Sequence, residues 1–109
     1  MIKIKLPDKL YIGESLLEEN INKLCLRLRF RPKKTKLYTI LVSENPSDQL
    51  DIVQSHYLGS KLYNNRVIKL VGLASTHKEA VELVCKITDE CVAKTGGAYI
   101  KQFLEGETS

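Results

Sequence analysis

Hydrophobic and polar positions follow two periods along this chain, and the switches between them divide it into elements. "IKIKL" alternates apolar and basic residues, which predicts a strand over 2–6. "PDK" breaks it, and "LYIG" either continues that edge or forms a short second strand. From Glu14 the period lengthens. Leu17, Ile21, Leu24 and Leu28 are spaced for one face of a helix over 14–29. Glu14 or Ser15 stands near its start. Glu14, Glu18 and Glu19 crowd the N-terminal end and Lys23, Arg27 and Arg29 the other, the order a helix dipole favours. Pro32 ends the helix at about Arg31.

"KLYTILVS", 36–43, is apolar and β-branched and predicts a central strand. "ENPSDQ" carries turn chemistry. "LDIVQS" then reads as a strand over 49–53 followed by a short helix over 55–63. The alternative is a helix capped by Ser47, since Leu50, Val53 and Tyr57 fit that period too. "RVIKLVGLA", 66–74, is a second strong strand. "THKE" is a capping box: the Thr76 hydroxyl accepts from the Glu79 N–H, and the Glu79 carboxylate reaches back. It opens a helix over 76–95 whose apolar stripe is Ala80, Val84, Ile87 and Cys91, flanked by Val81, Thr88 and Val92. Glu82, Lys86, Glu90 and Lys94 alternate in sign on the outer face. Gly96 or Gly97 caps its end. "AYIKQFLEG" is a last short helix or strand, with Tyr99 and Phe103 favouring helix, and 106–109 is a frayed tail.

This order predicts one α/β (or α+β) domain over 1–109. It would have two layers, a mixed sheet of about four strands with two long amphipathic helices packed on it. The sheet centre is expected at 36–43 and 66–73. The expected core is Leu17, Ile21, Leu24, Leu28, Ile40, Val42, Ile68, Leu70, Ala80, Val84, Ile87 and Cys91.

Composition narrows the function classes more than it selects one. The length suits one modest core. No apolar run approaches a membrane span, and the N-terminus lacks a signal-peptide core, so the expected location is the cytoplasm. Three cysteines without a CxxC pair are not a disulfide framework and read as small buried apolar residues. No spacing of His, Cys or carboxylates matches a metal-ligand set, and no cofactor or catalytic residue is expected.

Charge does change the picture. The chain carries +4, yet six of the ten residues from Arg27 to Lys36 are cationic. If the helix persists here, Leu26 and Phe30 point away from the Leu17–Leu28 stripe and, with Leu16, form a second apolar patch. If 24–31 is instead extended, Leu24, Leu26, Leu28 and Phe30 line one face and Cys25, Arg27, Arg29 and Arg31 the other. Either way a surface of Leu26, Arg27, Arg29, Phe30, Arg31, Lys33, Lys34 and Lys36 is the expected interaction site. A second candidate is the 72–78 strand-to-helix junction, where Ser75, Thr76, His77 and Lys78 stand at a helix start able to hold an anion or small ligand. His56 could meet Asp51 or Asp48, but local spacing alone does not make a dyad, and it reads as a half-exposed residue opening a short helix.

The runs "NPSDQLDI", "YLGSKLY" and "VGLASTHKEAVELVCKITDECVAKTGGAYIKQFLEGE" resemble a group of uncharacterised cytoplasmic proteins of similar length from anaerobic Firmicutes. That resemblance covers most of the chain. It implies one intact bacterial domain and no activity, cofactor or catalytic residue.

The expected function is a non-catalytic interaction module, acting through self-association (a homodimer or higher homo-oligomer) or a protein partner. Leu26 and Phe30 would be its anchors and the arginines its rim. The alternative is nucleic-acid or other polyanion binding through 27–36, although base-stacking aromatics are sparse there. The third reading is a small enzyme, or a small-ligand or anion site, at 72–78, where His77 beside Ser75 and Thr76 could act as a general base. No membrane is expected as a partner.

Overall fold

A computed structural model describes residues 3–7, 9–43, 49–63, 66–97 and 100. The elements are β1 (Lys3–Lys5), β2 (Tyr11–Ile12), α1 (Ile21–Phe30), β3 (Tyr38–Val42), β4 (Leu50–Gln54), β5 (Val67–Ala74) and α2 (His77–Thr95). Short 3-10 turns lie at Glu14–Leu16, Pro32–Lys34, Ser55–Gly59 and Lys61–Tyr63. The final segment expected over 98–106 lies outside the described residues except for Ile100.

The five strands form one mixed sheet in the order β1-β5-β3-β4. β1 and β2 both run parallel to β5, as two halves of a broken edge strand. β3 runs antiparallel to β5 and to β4. The register of β3 against β5 jumps from Ile40↔Gly72 to Leu41↔Leu70, so Val71 is an extra residue on β5. Such a bulge bends the strand and turns two successive side chains towards one face.

The sheet is covered on both faces. Ile68, Leu70 and Leu73 of β5 join Leu24 and Leu28 of α1, with Leu16, Leu37, Leu41 and Leu58. Val71 and Ala74 join Ala80, Leu83, Ile87 and Cys91 of α2, with Tyr11 and Ile40. The helices therefore lie on opposite faces, in place of the expected two layers, and the short β2 makes the strand count five. Strands buried on both sides lose strict alternation, as "VIKLVGLA" does.

The helix expected over 14–29 is divided. Glu14–Leu16 winds as a 3-10 turn, and the α-helix starts only at Ile21, where the Asn20 side chain accepts from the Lys23 N–H at 3.3 Å. The changed winding buries Leu16 and leaves Leu17 66% exposed, so the core position belongs to Leu16. α1 continues to Phe30, which settles 24–31 as helical up to that residue. Arg31 N–H still donates to the Arg27 carbonyl, but its φ of −138° ends the helix ahead of Pro32.

α2 is the helix the capping box announces. Thr76 Oγ1 accepts from the Glu79 N–H at 3.1 Å, and Gly96 closes the helix at φ 75°. Its buried stripe is Ala80, Leu83, Ile87 and Cys91, with Val84 only half-buried and Val81 and Val92 exposed. Ile21 and Val42 likewise stop at half-burial beside the cores. β4 and the 3-10 turns after it replace the alternative of a helix opening at Ser47.

Gly72 is the tightest point of the sheet. A Cβ added there would stand 2.9 Å from the Tyr11 carbonyl oxygen and 3.2 Å from Ile40 Cδ1. Gly72→Ala therefore forces the broken edge away from β5. An expected loss of about 1–3 kcal/mol would appear as a lower urea midpoint at unchanged slope.

Candidate functional site: a cationic groove beside α1

The basic segment does not form one continuous patch. Arg27 from α1, Arg31 from the cap that ends it, Lys34 from the following turn, and Lys36 from the approach to β3 surround an open groove of about 610 Å³. Leu16, Leu24 and Leu37 form its apolar floor, Thr35 lies between the lysines, and Glu19 is the carboxylate on its rim. Leu26, Arg29 and Phe30 face outwards from α1, with Leu26 51% and Phe30 60% exposed. Arg29 stands over the Phe30 ring at 5.6 Å. The stem of Lys33 lies over Gly59 instead.

The groove is held by the polar groups beneath it. Thr35 Oγ1 donates to the Arg31 carbonyl at 2.8 Å, which fixes the turn between the two pairs of cations. Ser55, buried at the end of β4, donates its hydroxyl to the Thr35 carbonyl and accepts from the Leu37 N–H at 3.0 Å. Its own N–H donates to the Leu37 carbonyl at 2.8 Å. The stretch carrying Lys34 and Lys36 is thus tied to the sheet at several points.

Among the described residues no carboxylate forms an ion pair with Arg27, Arg31, Lys34 or Lys36. Cations left unpaired around an apolar floor attract an anion that also has an apolar part, and charge-assisted hydrogen bonds to guanidinium are the strong kind. Cys25, on the other side of α1's buried stripe, is half-buried, and burial pushes its thiol pKa up.

At the 72–78 junction the structure brings together a different set. The Glu79 carboxylate accepts from the Ser75 N–H at 3.0 Å and from the Ser15 hydroxyl at 2.7 Å. The Ser15 and Ser75 hydroxyls are 2.5 Å apart. The capping box is therefore extended: the carboxylate passes Thr76, reaches Ser75 and crosses to the segment before α1. The protein's own carboxylate thus stands at the start of α2, where an external anion would have to compete with it. Thr76 serves as the cap, and Lys78 is exposed. His77 is exposed and meets Tyr38 edge-on at 5.7 Å. It lines a second open cavity of about 530 Å³ with Gln54, Tyr57 and Tyr63.

Sequence reasoning missed the groove's floor and the Ser15 contact, because both depend on residues distant along the chain. It also missed that Glu90 belongs to the N-terminal edge. The Tyr11 hydroxyl donates to Glu90 at 2.5 Å and Lys9 stands at 3.6 Å, whereas the helix-surface ladder was expected to hold Glu90. The Tyr11 hydrogen bond, aided by Lys9 and Lys86, lowers the Glu90 pKa.

Among the described residues no helix is long and apolar enough to cross a membrane, and no three His, Cys, Asp or Glu side chains group as metal ligands. Compared with models of protein families, with curated proteins and with solved structures, the chain gives no match.

The Glu79 pKa is lowered, first by the Ser75 N–H and further by Ser15, against an opposing contribution from desolvation. A carboxyl depressed in the folded state stabilises the fold above its unfolded pKa, and that stability is lost as pH falls through the folded value. Glu79→Ala should cost about 1 kcal/mol at neutral pH. The gap from wild type should narrow below about pH 4, as followed by urea unfolding across pH.

Proposed function

We propose that this protein is a non-catalytic binding module whose groove takes an acidic segment of another protein. The observation that carries this reading is the pairing of chemistries. Arg27, Arg31, Lys34 and Lys36 stand unpaired, among the described residues, around Leu16, Leu24 and Leu37. A carboxylate-rich segment with an interspersed leucine or phenylalanine satisfies both parts. Its apolar side chain covers the floor and its carboxylates meet the rim. The exposed Leu26 and Phe30 on the outer face of α1 extend the contact surface beyond the groove, in the manner of an apolar interface centre with a charged surround.

A nucleic acid would engage the cations but not the floor. No aromatic side chain lines the groove: Tyr38, Tyr57 and Tyr63 line the other cavity, and the exposed Phe30 faces outwards from α1. The two partners also differ in their salt response. Phosphate contacts release condensed counterions, whereas the apolar floor gives a contribution that salt leaves intact.

The test is fluorescence polarisation with labelled probes. They are a peptide alternating glutamate pairs with leucine, polyglutamate of equal charge, and generic duplex DNA and single-stranded RNA, each at about 50 and 200 mM salt. The glutamate–leucine peptide should bind at least tenfold more tightly than polyglutamate. Arg27→Glu combined with Arg31→Glu should lower its affinity at least tenfold. Tighter binding of DNA, with a log–log salt slope near −4 for four engaged cations, would replace the acidic-protein reading with the polyanion one.

A further inference from the structure

The two edges of the sheet are defended differently. The β1 edge carries Lys3 and Lys5, both exposed, beside exposed Lys69 of β5. Two such edges repel one another, a usual device against edge-to-edge pairing. The β4 edge, "LDIVQ", has no lysine, proline or bulge, and Asp51 is its one charge.

β4's outward hydrogen-bonding positions follow from its ladder with β3. Ser43 N–H donates to the Gln49 carbonyl and Ser55 N–H to the Leu37 carbonyl, which makes these the closely bonded pairs at the two ends. Pairs alternate along an antiparallel ladder. With the observed register, Asp51 and Val53 bond inwards to β3. Leu50, Ile52 and Gln54 direct their N–H and C=O groups outwards, and no partner meets them there among the described residues.

We infer that β4 pairs with β4 of a second copy of this chain, antiparallel about a two-fold axis at Ile52. The outward positions are self-complementary in that register. Ile52 faces its own counterpart, and Leu50 of each copy faces Gln54 of the other, each pair exchanging both backbone bonds. Asp51 faces Val53, so the two carboxylates do not oppose each other. Leu50 and Ile52 are only half-buried beneath α2, and a second sheet edge covers what remains exposed on that side. Exposed Tyr57, just beyond the end of β4, flanks the joint.

Gln54 supplies a selective test. Its φ is −64°, the angle proline imposes, and its N–H points away from β3. Gln54→Pro therefore removes an outward donor and blocks the edge while leaving the β3 ladder intact. Gln54→Ala removes the side-chain hydrogen bond to the Tyr38 hydroxyl but keeps the backbone donor. By sedimentation equilibrium at about 100 μM, well above a micromolar dissociation constant, wild type and Gln54→Ala should run as dimers. Gln54→Pro should run as the 12.4 kDa monomer. Hydrogen exchange on the wild-type protein, which needs no variant to fold, should show protection at Leu50, Ile52 and Gln54 that rises with protein concentration. A wild-type monomer at that concentration would overturn the inference. So would a dimer that Gln54→Pro leaves intact, or protection at these amides that is independent of concentration.

Discussion

β5 is the strand through which the rest of the molecule is connected. It pairs with the broken edge on one side and with β3 on the other, and its side chains supply both hydrophobic cores. A strand buried on both faces normally divides its residues evenly by alternation. The bulge at Val71 shifts that division. Leu70 and Leu73 serve the α1 side, while Val71 and Ala74 serve the α2 side. Gly72, next to the bulge, leaves the space into which Tyr11 and Ile40 close. That close approach sets how tightly β2 pairs with β5, and with it the point from which the chain enters α1.

That starting point is then secured to α2 from two directions. Tyr11 reaches Glu90, and Ser15 reaches Glu79. Gly13, between them, has no Cβ because the Glu79 carboxylate occupies that side of the backbone. These contacts are polar and partly exposed, so each contributes modestly. Their effect is positional. They bring Leu16 into the α1-side core, and Leu16 is part of the floor of the cationic groove. At the other end of the groove, Ser55 and Thr35 hold the lysine-bearing stretch against the sheet. The groove's shape thus depends in part on hydrogen bonds to residues outside its lining, Ser55 at one end and Glu79 and Glu90 at the other.

Much of the fold is legible in local patterns. "THKE" places the start of α2, "KLYTILVS" and "RVIKLVGLA" contain the two central strands, and Leu24 and Leu28 are buried as their spacing requires. The failures have a common cause. Periodicity assumes one winding, so it cannot register a 3-10 turn that advances the phase and exchanges Leu17 for Leu16. On α2, Leu83 and Val84 both fit the three-to-four-residue spacing between Ala80 and Ile87, and only the packing against the sheet distinguishes them, burying Leu83 and leaving Val84 half-buried. The basic run was legible as charge but not as shape. Arg27 near the end of α1 and Arg31 at its cap, joined by the last helical hydrogen bond, share the groove, whereas Arg29 between them faces away. The floor residue Leu37 and the support Ser55 come from segments that the sequence of the run does not contain.

Charge and hydrogen-bonding capacity are separated over this small surface. The cations of the groove lie on the α1 side, the lysine-guarded edge belongs to β1, and the bare edge belongs to β4. Because Thr35 and Leu37 are tied to Ser55 at the end of β4, the groove and that edge share a support, although their surfaces do not overlap. Pairing at β4 would place two grooves in one particle, related by the two-fold axis. Were both proposals to hold, a partner with two acidic segments whose linker spans the two grooves would gain apparent affinity without any new contact. The modest strength expected of one open groove would in that arrangement suffice for a partner that presents the motif twice.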